Sequence, residues 1–226
     1  MKKNILILIL AALAAVSCYR GDYVGGSDPI VGGHTSEGNY KLRTYMMSIA
    51  DNLIAGILDE FELATSINGK NMSRSSHFDI SGALNEAGSV WTVRADDSKF
   101  KGLSIRCDDA DGKWTVSFKG NFPLVNQENV FPTSIVVTIK KHETTSEKST
   151  GWETTISGSR EERGGYTCTF ESESLTYVNT RGIGTQGWDQ MFGDLYMEVF
   201  KSSDSIDYCC LTFNGSPGKS TLIRGL

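Results

Sequence analysis

The sequence is poor in the residues that usually announce chemistry. It has only 3 histidines and 4 prolines. His34, His77 and His142 stand far apart, so no local histidine cluster is written for a metal or for acid–base work. His142-Glu143 opens like H-E-x-x-H, but Ser146 occupies the second histidine position. The cysteines form no C-x-x-C, which removes support for a structural zinc or a thioredoxin-type centre. No G-x-S-x-G is present, so the hydrolase elbow is absent. Basic residues are outnumbered, 22 Lys+Arg against 27 Asp+Glu, for a formal charge of −5. That balance repels nucleic acid and anionic headgroups. No apolar run reaches the ~20 residues of a membrane helix; the longest is residues 5–16.

That run is nevertheless informative. Lys2 and Lys3 precede it, and Ala15-Val16-Ser17-Cys18 closes it. A positive start, a short apolar core and small residues at the end are the pattern of a secretory signal. Ser17 before Cys18 resembles the lipobox of bacterial lipoproteins, loosely as Bacteroidetes-type leaders do. The common pattern has Leu where Ala15 stands. The resemblance covers the leader alone. It implies removal of residues 1–17, lipidation of Cys18, and attachment to the outer membrane of the cell envelope through the N-terminal lipid. Losing Lys2 and Lys3 makes the remainder more acidic, so attachment would come from acyl chains, and more than one is needed for a firm hold. Asp204-Ser205-Ile206 resembles a short O-glycosylation site of the same envelopes.

Residues 18–39 hold Gly21, Gly25, Gly26, Gly32, Gly33 and Gly38 with few large apolar residues, and read as a flexible tether. Residues 40–226 read as one domain. In residues 40–66 Leu42, Met46, Ile49, Leu53, Ile57 and Phe61 recur at three- and four-residue steps, widened by Tyr45, Ile54 and Leu58. This predicts one amphipathic helix. Its charges are mixed and it has no basic face, so core packing is expected rather than a membrane surface.

From about residue 76 the period becomes two. Trp114, Val116 and Phe118 alternate with Thr115, Ser117 and Lys119, and similar runs follow through residues 135–140, 152–156, 166–170, 195–200 and 206–213. With residues 77–83, 89–94 and 102–107 this predicts about nine strands at hairpin spacing. Asp111-Gly112 marks one hairpin turn. Residues 120–123, 157–165 and 214–218 read as further turns or loops. One apolar and one polar face, without crossover helices, is the signature of an antiparallel sheet. The expected fold is mainly β (α+β): an antiparallel meander closing into a barrel or folding as a sandwich, with the N-terminal helix packed on it.

Besides Cys18 the chain has Cys107, Cys168, Cys209 and Cys210. Adjacent strand residues point to opposite faces, which disfavours a Cys209–Cys210 bond. Two readings stand: buried free thiols, or a bridge from Cys168 to Cys209 or Cys210.

Three motif matches fail on context. Residues 182–187 match G-x-G-x-x-G, but no helix long enough to hold a dinucleotide follows. Gly218-Lys219-Ser220 echoes a P-loop ending, but Phe213 stands where the first glycine belongs. Asp109, Asp111 and Gly112 could open a calcium loop, but Gly120 replaces the closing glutamate. No cofactor and no metal is expected.

The candidate site is the long connection at residues 179–194, which gathers Asn179, Arg181, Gln186, Trp188, Asp189 and Gln190 among glycines. A tryptophan ringed by amides, an arginine and an acid would suit a sugar or peptide. The bland reading, which the sequence favours, is a self-packed Ω-loop with Trp188 and Met191–Phe192 plugging the core. The expected function is a non-catalytic ligand-binding or interaction module for a glycan or peptide. The alternatives are a structural or assembly partner of an outer-membrane protein complex, and a hydrolase with dispersed acidic residues.

Overall fold

The structure is a computed structural model. It describes residues 34–68, 78–81, 90–95, 104–108, 113–122, 124, 131–142, 150–181, 188–216 and 218–225. The expected lipidation residue, Cys18, lies outside them, as does Gln186.

The helix begins at Ser36, within the stretch expected as tether. Thr35 is its N-cap, and its Oγ1 accepts the Gly38 N–H at 3.0 Å. Three segments follow without a break: α1 (Ser36–Ser48), a π-helical turn (Ile49–Ile54) and α2 (Ala55–Asn68). The π turn has a reason in the sequence. Leu42, Met46, Ala50, Ile54 and Leu58 form one buried track, and Tyr45, Ile49, Leu53, Ile57 and Phe61 another, both at strict four-residue steps. At 3.6 residues per turn a four-residue step overshoots by about 40° each time, so the tracks would wind off one face. The wider π turn takes up the overshoot and returns both to the core side. Tyr40, 57% exposed, lies off the stripe. Among the described residues no helix is long and apolar enough to cross a membrane.

The sheet is antiparallel throughout, and its strands neighbour one another in chain order. Six long strands form its body, with the five-residue β10 at one edge: β4 (Lys113–Phe122), β5 (Phe131–Lys141), β6 (Thr150–Glu162), β7 (Tyr166–Asn179), β8 (Gln190–Lys201), β9 (Asp204–Gly215) and β10 (Ser220–Arg224). Three shorter strands extend it on the β4 side: β1 (Phe78–Ser81), β2 (Val90–Ala95) and β3 (Ser104–Asp108). Where about nine strands were expected, β10 is the addition. Its five residues pair with Cys209–Phe213 of β9 after a tight connection at the P-loop-like glycine. No pairing joins β1 to β10 among the described residues, so the described sheet is open.

Several expected turns are strand. Residues 120–122 continue β4, because Phe122 turns inward and pairs with Phe131. Residues 157–162 continue β6, and the turn itself is confined to Arg163, Gly164 and Gly165, both glycines having positive φ. Burial of one side chain in two outweighs the local turn preference of Gly, Ser and Asn. β3 and β4 pair up to Asp108↔Lys113, on either side of the expected Asp-Gly hairpin turn.

β7 carries a bulge. It has one more residue than both neighbours between Glu171 and Leu175. The extra residue flips the parity, so Tyr166, Cys168 and Phe170 before it and Leu175 and Tyr177 after it all face the core.

The helix lies against this apolar face. Arg43 clamps the β9–β10 hairpin, its Nη2 and Nε donating to Gly218 O at 2.7 Å and Ser220 O at 3.1 Å. Cys209 Sγ donates to Met46 Sδ at 3.4 Å. Tyr177 Oη donates to Ala50 O, in the π turn, at 3.0 Å. Further along, Phe61 sits edge-on between Trp114 and Trp152, with centroids 5.4 and 5.2 Å away.

Candidate functional site

The connection expected over residues 179–194 is shorter than its sequence suggests, because β7 runs to Asn179 and β8 starts at Gln190. Its two stems are tied together. Asp189 N–H donates to Val178 O at 3.1 Å, continuing the β7–β8 ladder. Asp189 Oδ1 accepts the Thr180 N–H at 2.9 Å, and Oδ2 accepts the Thr180 hydroxyl. Buried Asn179 takes the Arg181 N–H on its Oδ1 at 3.0 Å. Desolvation would raise the Asp189 carboxyl, but the Thr180 hydrogen bonds, its own N–H and the Arg181 charge outweigh it and hold it below the usual range. Both carboxylate oxygens are thus spent on the stem, while the Arg181 side chain lies at the exposed rim.

Trp188 packs inward. Its ring meets Tyr177 edge-on at 6.0 Å, it is packed against the core, and its buried Nε1–H has no hydrogen-bond partner among the described residues. The geometry brings Asn179, Arg181 and Asp189 to one stem and turns the Trp188 ring away from it into the protein.

A second polar constellation was not foreseen. Glu162, in the stretch 157–165 expected as a turn or loop, is buried, and Arg160 is 1% exposed. Arg160 Nε pairs with Glu162 Oε1 at 2.6 Å, and its Nη1 donates to Thr133 Oγ1 at 2.9 Å and to Phe122 O. Tyr45 Oη donates to the same Glu162 oxygen at 2.6 Å. Burial pushes the Tyr45 phenol well above its usual range, with Cys168 and Glu162 adding to it. Once β6 is extended, Arg160 and Glu162 share the parity of inward Ile156, which is the one signal that could have placed them. Arg160 Nε and Nη1 and Tyr45 Oη all donate within this buried group, which ties the helix to the sheet.

Cys168, Cys209 and Cys210 are buried free thiols. Desolvation pushes Cys168 and Cys209 up to about 12, which removes nucleophilic thiolate at neutral pH. Among the described residues, no three His, Cys, Asp or Glu side chains gather as a metal site. No family model matches the chain, and neither a curated protein nor a solved structure does.

Proposed function

We propose that the protein is a cell-envelope lipoprotein, held to the outer membrane through lipidated Cys18, whose domain is a non-catalytic module binding a glycan or a peptide. The observation that carries this reading is the preorganised stem at Thr180, Arg181 and Asp189. It fixes the ends of a connection on a rigid antiparallel scaffold and sets a cation at its rim. A site fixed before the ligand arrives loses less ordering entropy on binding. In the same reading the sheet curls round the helix as an incomplete barrel, supported by contacts from α1, the π turn and α2 to β9, β7, β6 and β4 on one face.

The assembly-partner reading has less support. The helix stripe it would use is covered by the sheet, leaving the sheet edges at β1 and β10 as docking elements. The test is a glycan and peptide array probed with the full chain in detergent, beside Arg181→Ala and Trp188→Ala. Binding lost with Arg181→Ala and weakened with Trp188→Ala supports the loop as the site. A folded protein that binds nothing on either array sinks the reading.

A further inference from the structure

The outer face of β8 carries an ordered alternation. Met191, Leu195, Met197 and Val199 are buried in the core, so the residues between them face outward. Those residues are Phe192, Asp194, Tyr196, Glu198 and Phe200: a ring at every fourth position and an acid between each pair. Rings four residues apart on one strand are separated by about 14 Å. Phe192 is 39% exposed, and the others are partly open to solvent. Tyr208 of β9 widens the row, its ring near-parallel to that of Tyr196, with centroids 6.4 Å apart and planes 23° apart. Glu171 pairs with Tyr196 from β7. Thr212 Oγ1 donates to Asp194 Oδ1 at 2.6 Å, and the Cys210 thiol also bonds this carboxylate.

We propose that this face, Tyr196 and Tyr208 above all, binds a neutral polysaccharide. The inference rests on the binding-module reading and adds a site on the sheet to the one at the loop. Three features choose the ligand. Partly exposed rings at that spacing offer aromatic surface to the C–H faces of sugar rings, in the way aromatic faces accept positive edges. The carboxylates are acceptors only, so the ligand must present donors, and hydroxyls do so without bringing charge. The acids also interrupt the apolar surface, which spoils it as the core of a protein interface and as a membrane contact. Three acids on one face repel uronate or sulfate chains. Ile206 and Ile223, both exposed, border the row.

The test is affinity electrophoresis of the full chain in detergent, through gels containing a soluble β-glucan, xylan, mannan or α-glucan, with a polyuronate as the charged control. The proposal expects retardation by a neutral polysaccharide and none by the polyuronate. Tyr196→Ala and Tyr208→Ala should each weaken it about tenfold, and Tyr196→Phe should keep it. Urea midpoints of the alanine variants show that they remain folded. Retardation that ignores both tyrosines but falls with Arg181→Ala overturns the sheet site and leaves the loop module standing. No retardation by any neutral polysaccharide, with capture of a lysine-rich peptide instead, overturns the glycan and keeps a module. Neither kind of binding overturns both.

Discussion

Tyr45 Oη and Arg160 Nε converge on one oxygen, Glu162 Oε1, each at 2.6 Å. This joins α1 to the β6–β7 hairpin through a buried ion pair. Removing one charge strands the other in a dry interior, so Glu162→Ala and Arg160→Ala should each cost about 3–5 kcal/mol. Tyr45→Phe removes a neutral donor and should cost about 1–2 kcal/mol. The Arg160→Ala/Glu162→Ala double variant should lose at least ~1 kcal/mol less than the sum, because neither charge is then left alone. Urea unfolding of the four proteins decides it, and strict additivity would refute the coupling.

The bulge in β7 makes a second demand. Gly193 has φ +107, and the Ser174 carbonyl oxygen occupies the space where a Cβ would sit. Gly165, in the β6–β7 turn, has φ +77 but nothing within 4 Å of its Cβ direction. Gly165→Ala should therefore cost only the left-handed strain, about 1 kcal/mol. Gly193→Ala adds a clash with backbone that cannot rotate away, and should cost about 3 kcal/mol or more. Equal losses in thermal or urea unfolding would show that the bulge can relax.

These details mark what was legible in the chain. The helix stripe from Leu42 to Phe61 and the alternation in β4, β5, β8 and β9 follow directly from apolar spacing, and every stripe residue is buried. The π turn was legible in principle, because two tracks at strict four-residue steps cannot stay on one face of an α-helix. The bulge at residues 171–175 was not. It breaks the period-two pattern of β7, and only pairing with both neighbours shows that the two halves share a face. Glu162 misled because a Glu-Glu pair before Arg163-Gly164-Gly165 looks solvated, whereas its guanidinium partner sits two residues back on the same strand face. At the candidate site Trp188 packs inward, as the self-packed loop reading has it, but the partner that receives it, Tyr177, belongs to a different element and was not legible from the loop.

The two inward cysteines should be inert while the protein is folded. Cys168 and Cys209 are fully buried, and their thiols are pushed up to about 12. Relative to a free thiol near 8.5, that lowers the thiolate fraction at pH 8 by more than about a thousandfold. Iodoacetamide followed by peptide mapping should therefore label neither in buffer and both in urea. Rapid labelling of Cys168 in buffer would mean that α1 lifts off the sheet on that timescale.

Asp51 gives the fold a pH dependence of unusual sign. It lies in the π turn, open to water on one side and backed by the apolar core on the other. Burial pushes its carboxyl up from 3.8 to about 6. Between those two values the folded chain holds a proton that the unfolded chain has released, so stability falls as pH rises from about 4 to about 6 and stays lower above it. A carboxylate stabilised by a partner would act the opposite way. Water at the exposed side screens the cost, so the expected loss is about 1 kcal/mol or less. Asp51→Asn cannot release a proton and should lack this step, being more stable than wild type at pH 7 and level with it at pH 4. The difference in unfolding free energy between the two proteins, followed from pH 4 to pH 7, isolates the group from every other titration. A difference that stays flat, or that favours wild type as pH rises, would show that Asp51 is fully hydrated in the folded state.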